Sequence, residues 1–362
     1  MHIASFIAGT ANLIKLSSFS KEISSQDIHH TIIDVGIYTD EYHQMLFEEL
    51  RLSRPQYVLN TNKLSYLSSL SCTIEKVKPI LSLVKPDVFV VFGDLNSIVP
   101  ACIAASQLKI PIAHIESGLR NGNPYDIEEF NRIVADRFSS YHFTISANGT
   151  QNLVDEGYDR NSILCAGNTI IDTLVSHLPS ADDNVLNKWG LRKQSYALCA
   201  IHREINTNSR KQLKGILDGI CRIQQEIKAV LLVYPSTSRA VKRHKLQTML
   251  DEMQNVVQIP RQGYMNYLSL LRNSQFVITD SSGLQDECAY LGIPCLTCLE
   301  VTHRYDALST GKNILVGVVP RRIHDGYQRT LNITKQNESK ANWDGMASKR
   351  IVEFLLMQQY PR

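Results

Sequence analysis

Short runs of β-branched and other apolar residues alternate with longer amphipathic stretches in this chain, and the pattern is repeated over its two halves. In the first half the runs lie at residues 2–8, 31–36, 88–92, 112–115, 142–145 and 163–166. In the second they lie at 196–201, 230–234, 256–259, 276–279, 294–297 and 314–316. A short continuous apolar run followed by helical sequence reads as a strand covered on both faces, and its repetition reads as parallel β-α-β units. Two sets of about six strands predict an α/β protein built from two doubly wound, Rossmann-like domains. The length of 362 residues agrees, because it exceeds what one hydrophobic core ordinarily serves. The stretch 172–190 contains Ser180-Ala181-Asp182-Asp183-Asn184 and little strand pattern, so the linker is placed there. The expected domains are 1–172 and 173–340. Residues 341–362 are expected to form a closing helix packed back on the first domain, with Met346, Ile351, Val352, Phe354, Leu355 and Leu356 at helical spacing.

In open parallel sheets, ligands bind outside the carboxyl ends of the strands. Residues just past each run are therefore the first candidates for chemistry. Asp94 follows one run, Glu116 another and His202 a third. Each has a structural reading of its own. Asp94 could cap a helix begun by Leu95-Asn96-Ser97-Ile98, and His202 could be a satisfied loop histidine. Their joint placement favours a site. Clustered carboxylates raise one another's pKa, which suits general acid/base work, and a histidine beside a phosphate-binding turn suits neutralisation of a leaving diphosphate.

Two helix starts add to this picture. Asp280-Ser281-Ser282-Gly283 follows a run and opens a helix, so its backbone N–H groups and the helix dipole suit a phosphate; a plain Ser N-cap explains it equally well. Gly9-Thr10 after the first run is a weaker version. Asp126 is expected to cap a second helix with Glu129 as its reciprocal partner, and Ile127, Phe130, Val134 and Phe138 make its apolar face. Glu128 is not needed by that cap, and its nearness to Glu116 suggests a shared acidic pocket.

Charge and cysteine usage set limits. A net charge of +3, with 20% charged and 43% hydrophobic residues, implies a soluble protein without strong attraction to nucleic acid or membrane. The N-terminus shows no charged n-region followed by an h-region, and a cytosolic location is expected. The eight cysteines are dispersed, with Cys295 and Cys298 as one isolated C-x-x-C. No ligand spacing for zinc appears, and neither metal nor cofactor is expected.

Several segments together carry a family resemblance: Phe92-Gly93-Asp94; His114-Ile115-Glu116-Ser117-Gly118-Leu119-Arg120; Glu128-Glu129-Phe130-Asn131-Arg132; Ala166-Gly167-Asn168-Thr169-Ile170-Ile171-Asp172; His202-Arg203; Gln262-Gly263-Tyr264; and Thr279-Asp280-Ser281-Ser282-Gly283-Leu284-Gln285-Asp286-Glu287. In these the chain resembles the non-hydrolysing UDP-N-acetylglucosamine 2-epimerases, from Gly9 to about Gly317. The resemblance implies two Rossmann-like domains facing a cleft, as in GT-B glycosyltransferases, and a homodimer. It implies C2 epimerisation of a UDP-2-acetamido sugar without a redox cofactor, for surface polysaccharide precursors. It also implies roles: Asp94, Glu116 and Glu128 as proton-handling carboxylates and His202 at the diphosphate. Lys15, Ser281, Ser282, Gly283 and Arg304 would meet phosphate, Glu287 the ribose hydroxyls, and Gln262 with Tyr267 the uracil.

The chain departs from that family in places. Gly9-Thr10 is followed by Ala11-Asn12-Leu13, so a phosphate-contacting arginine is absent while Lys15 is kept. The glutamate expected after His202-Arg203 is lost or shifted, since the segment reads Glu204-Ile205-Asn206. A histidine is replaced near Thr237, a glutamate becomes His303, and the Gln-His pair of an allosteric site reads Glu41-Tyr42. Three alternatives therefore stay open: a hydrolysing epimerase that releases UDP and free sugar, a glycosyltransferase of the same architecture, and a non-catalytic nucleotide-sugar binder.

Overall fold

The runs of the first half form strands in a computed structural model that describes residues 1–61, 64–333 and 342–358. They are β1 (His2–Ile7), β2 (His29–Asp34), β3 (Tyr57–Val58), β4 (Val88–Phe92), β5 (Ile112–Ile115), β6 (Tyr141–Thr144) and β7 (Ile163–Cys165). All pair in parallel, in the order β3-β2-β1-β4-β5-β6-β7. The runs of the second half form β8 (Tyr196–Ala200), β9 (Lys228–Val233), β10 (Val256–Pro260), β11 (Phe276–Thr279), β12 (Cys295–Thr297) and β13 (Asn313–Leu315). These too are parallel, in the order β10-β9-β8-β11-β12-β13. Both sheets are doubly wound. The apolar runs form strands because both sheet faces are covered. In the second sheet Ala197 and Cys199 enter one core while Tyr196, Leu198 and Ala200 enter the other.

One strand, β3, has no counterpart in the sequence pattern. It is two half-buried residues at a sheet edge, too short to show a period.

The chain divides into two units, Met1–Ser176 with Lys340–Arg362, and His177–Ser339. The boundary between the units falls within the stretch 172–190, and residues of that stretch are themselves packed. Asp172 lies inside the helix Thr169–His177 of the first unit. Asp183 is a hub in the second, accepting bonds from Ser269 (2.8 Å), Arg272 (2.7 Å) and Asn273 (2.8 Å). Those three residues lie about ninety positions further on, so no local pattern marks the stretch as docked.

The last helix, Ala347–Leu356, belongs to the first unit and lies against the helix Thr10–Ser24. Ser348 Oγ is 2.8 Å from Ser18 Oγ. The carboxylate of Asp172 accepts the amides of Ala347 (3.1 Å) and Ser348 (2.6 Å), so a side chain from another helix caps this one. Gly167, at φ +99, is needed here, because a Cβ on it would lie 1.9 Å from the carbonyl oxygen of Asn342.

In each sheet the winding reverses between two central neighbours, β1 and β4 in the first, β8 and β11 in the second. The crevice beyond their carboxyl ends is where doubly wound sheets take ligands.

Candidate active site

In the first unit that switch point gathers a buried ionic cluster. Lys15 comes from the helix after β1, Asp94 follows β4, and Glu116 follows β5. The Lys15 ammonium is ion-paired with the Glu116 carboxylate, and both side chains are almost wholly buried. Glu116 sits in the left-handed region at φ +71, a rarely used conformation for a side chain with a Cβ. Its amide and that of Ser117 both donate to Phe143 O, at 3.0 and 3.2 Å. A backbone held in such a region by its surroundings is common at functional sites. Gly93, at φ +68, has no room for a side chain: a Cβ would lie 2.9 Å from Lys15 Nζ and 3.1 Å from Glu116 Oε2.

Asp94 Oδ2 accepts from Arg132 at 2.6 Å, and the same guanidinium pairs with Glu129. Burial opposes ionisation of Asp94, but the nearby cations Arg132 and Lys15 outweigh it and hold the carboxyl below the usual carboxylate range. Asp94 is not a helix cap. The following helix is Ile98–Gln107, with Ser97 in the capping position, and Asn131 Nδ2 donates to Asp94 O at 3.0 Å. Glu128 stands half-buried in the first turn of the helix Ile127–Phe138, with its amide capped by Asp126 Oδ1 at 3.0 Å.

That helix differs from expectation in two ways. Glu129 does not reach back to Asp126; its carboxylate accepts the amides of Asn121 (2.9 Å) and Gly122 (3.1 Å) and pairs with Arg132. The buried face is also the polar one. Glu129, Asn131, Arg132, Ala135 and Asp136 are buried, while Ile127, Phe130 and Phe138 are exposed. The polar face wins because β4 and β5 end in charged residues that can satisfy it.

In the second unit, Asp280 organises the switch point. It follows β11, is fully buried, and accepts from the amides of His202 (3.0 Å) and Arg203 (3.1 Å) and from Asn206 Nδ2 (3.0 Å). The loop after β8 is thus tied to the end of β11. The His202 ring is partly exposed, rests on Tyr234 at 4.9 Å between centroids, and has Nδ1 3.7 Å from Asp280 Oδ1.

Ser281 caps the helix Ser282–Leu291 by accepting from Leu284 N at 3.4 Å, and Ser282 and Gly283 form its first turn. One and a half turns further along, Glu287 is buried between two phenols. Tyr267 donates to it closely and Tyr264 lies at 3.4 Å. Burial, helped by neighbouring Asp286, raises the Glu287 carboxyl to about 7 against the pull of the two hydroxyls. Arg304 is buried and paired with Asp286 at 2.9 Å, and Gln262 Nε2 donates to Pro260 O at 2.7 Å.

The profile of the family described as UDP-N-acetylglucosamine 2-epimerase matches residues 21–356 of this chain. The chain belongs to the UDP-N-acetylglucosamine 2-epimerase family. It is 32% identical to the UDP-N-acetylglucosamine 2-epimerase of Methanocaldococcus jannaschii over 98% of this chain and 99% of that one. It is 30% identical to the UDP-2,3-diacetamido-2,3-dideoxy-D-glucuronate 2-epimerase of Pseudomonas aeruginosa, with the same coverage. A crystal structure of the M. jannaschii enzyme in complex with UDP-GlcNAc and UDP superposes with a TM-score of 0.93 over 99% of this chain and 100% of that one, at 31% identity.

Within this family member the candidate residues fall into two groups. Asp94, Glu116, Glu128 and Lys15 are in the first unit; His202, Gln262, Tyr267, Ser281, Ser282, Gly283, Glu287 and Arg304 are in the second. Lys15, expected at phosphate, is spent on Glu116, and Arg304 on Asp286. One of the departing positions is structurally absorbed: Thr237 donates its hydroxyl to Ile201 O. Asn206, which the chain keeps, also donates to Cys298 O at 3.0 Å. Sequence reasoning assigned no role to Arg132 or Asp280. A stripe of Glu129, Arg132 and Asp136 at i, i+3 and i+7 on one helix was the available signal.

Proposed function

We infer that the chain inverts C2 of a UDP-2-acetamido sugar, with the first unit moving the proton and the second holding UDP. The observation that carries this is the pair of carboxylates at the first switch point, each ion-paired with a buried cation: Asp94 with Arg132 and Glu116 with Lys15. Two carboxyl groups held at one place supply the proton acceptor and donor that inversion needs. One carboxylate takes the C2 proton, the electron pair forms the C1=C2 bond, and the C1–O bond to UDP breaks. Delivery of a proton to the other face of C2 and return of UDP to C1 give the epimer. Glu128, on the same helix as Arg132, supplies the further acid/base group. In the second unit the first-turn amides of Ser282 and Gly283 face the leaving diphosphate with His202 beside them. Glu287 accepts from the ribose hydroxyls, and Gln262 with Tyr267 borders the base.

A second outcome has one observation in its favour. Lys15 and Arg304 are both engaged by internal carboxylates, which leaves fewer cations to retain UDP. Release of UDP, with water adding to C1 and a proton to C2, would give a free 2-epimeric sugar. The homodimer and the cytosolic setting belong to the same proposal. A sedimentation mass twice that of the 40.9 kDa chain would support the dimer, and the exposed Ile127, Phe130, Ile133 and Phe138 are the kind of surface a second copy covers.

Incubation with UDP-N-acetylglucosamine in heavy water, followed by proton NMR, tests the reading. Deuterium at C2 of intact UDP-sugar is expected. Free UDP with deuterated monosaccharide would indicate the hydrolysing outcome. No exchange on any of several UDP-2-acetamido sugars would reject both.

A further inference from the structure

His114 lies at the centre of β5 with no solvent exposure, and both of its ring nitrogens face acceptors. Nδ1 is 2.7 Å from Asp136 Oδ1, and Nε2 is 2.8 Å from the carbonyl oxygen of Gly93. A carbonyl oxygen can only accept, so Nε2 carries a proton. Asp136 is an acceptor as well. Its other oxygen takes the Gly118 amide at 3.2 Å and the permanently charged Arg120 guanidinium at 2.8 Å, and Arg120 is in turn held by Glu156 at 2.7 Å. Burial works against ionisation of Asp136, yet His114 and Arg120 keep its carboxyl below the usual range. With the Arg120 guanidinium and the Gly118 amide both on its other oxygen, Asp136 is placed as an acceptor, so Nδ1 carries a proton too.

We propose that His114 is a buried imidazolium which, with Asp136, acts as the positioning residue for the two turns that present Asp94 and Glu116. The ring pins the Gly93 carbonyl, directly before Asp94. Asp136 pins the Gly118 amide, two residues after Glu116. The Gly93 amide also donates to Ile115 O at 2.9 Å, so the two turns are joined through backbone and side chain alike. All three hinge residues, Gly93, Glu116 and Gly118, have positive φ, and such turns need outside support to persist. The proposal rests on the reading of Asp94 and Glu116 as the proton-handling groups. The other titratable groups around the pair are Cys102 from the helix Ile98–Gln107, His142 from β6, and Arg120, Glu156 and Tyr158 from the flanking segments. Arg120 is the one permanent cation among them. His142 uses Nε2 on the Asp136 carbonyl oxygen at 3.0 Å.

The full chain labelled with [15N]histidine gives the direct test. His114 resonances are identified by their loss in His114→Gln. Two ring N–H correlations are expected from His114 at neutral pH, one for each acceptor it faces. A single N–H, with the other nitrogen bare, would overturn the proposal. This readout does not depend on catalysis, so a protein inactive on every UDP-sugar would sink the functional reading and leave the imidazolium decided. The second arm is Asp136→Asn, with near-UV circular dichroism and UDP titration confirming a folded protein. C2 exchange should then show a kcat lower by on the order of 100-fold at neutral pH, with KM little changed. A variant with wild-type kcat would refute the positioning role. Should Asp136→Asn fail to fold, kcat of His114→Gln decides in its place, a drop supporting the role and a wild-type value refuting it.

Discussion

Glu116 and Lys15 illustrate how a buried pair constrains what a mutation can mean. Replacing Glu116 by Gln removes the proposed base and also strands an ammonium that is nearly inaccessible to water. Breaking such a pair from one side costs about 3–5 kcal/mol, whereas removing both charges is often close to neutral. Glu116→Gln should therefore lose C2 exchange and melt lower, with UDP binding near normal. Lys15→Met added to it should restore much of the melting temperature and none of the exchange. Retained exchange in Glu116→Gln would take that residue out of the mechanism. Glu287 makes a different prediction, because its carboxyl is raised by burial from 4.5 to about 7. Below pH 4.5 both folded and unfolded chains hold the proton. Between 4.5 and 7 only the folded one does, so this residue's contribution to stability is lost as pH rises through that window, by about 3 kcal/mol in all, and is level above it. Urea unfolding at a series of pH values should show that decline in the wild type and a flatter curve in Glu287→Gln. UDP should bind more tightly as pH passes 7, since ribose hydroxyls donate best to the ionised carboxylate. An unchanged pH dependence in Glu287→Gln would contradict both statements.

Elements were legible in the sequence where burial is two-sided and continuous. The runs at 88–92, 112–115 and 276–279 coincide with β4, β5 and β11, because a strand covered on both faces is mostly apolar and charged residues mark its end. Edge strand β3 was illegible, being two residues long. The helix Ile127–Phe138 was legible as a helix but not in its orientation. Its apolar stripe is the face an ordinary amphipathic helix would bury, but Arg132 and Asp136 are fully buried instead. Periodicity reports that a helix has two faces; which one is buried depends on what the neighbouring strands offer. Here those strands offer Asp94, His114 and the Gly118 amide, so only a charged face is complementary. The same logic explains the site. Asp94, Glu116 and His202 stand out in the sequence because they follow strands, while the partners Asp94 of Arg132 and His202, Arg203 and Asn206 of Asp280 lie dozens of residues away. The helix start at Ser281 is readable because its cap and its helix are adjacent in the chain.

At the scale of the whole molecule, the closing helix is what ties distant chain to the site. Ala347–Leu356 packs on Thr10–Ser24, the helix that carries Lys15, and its N-terminus is capped by Asp172 from a third helix. Asp172 is itself buried, which raises its carboxyl above the ordinary range, yet the amides of Ser348 and Ala347 work against that rise. The sequence placed Asp172 at the start of a linker, since nothing local reveals that its partners lie about 175 positions on. Loss of an N-cap carboxylate costs about 0.5–2 kcal/mol, and an acid at a helix N-terminus adds a favourable dipole interaction. Asp172→Ala should therefore lower stability by about 1–2 kcal/mol. Because the helix it anchors lies against the one bearing Lys15, C2 exchange should become sensitive to temperature below the melting point. Asp172→Asn should recover part of the loss, since its amide oxygen can still accept one of the two amides. Chemical denaturation paired with exchange rates at several temperatures would separate the outcomes. If Asp172→Ala left both stability and the temperature profile of exchange at wild-type values, the closing helix would be held by its apolar face alone, through contacts such as Phe354 with Tyr141 and Phe143.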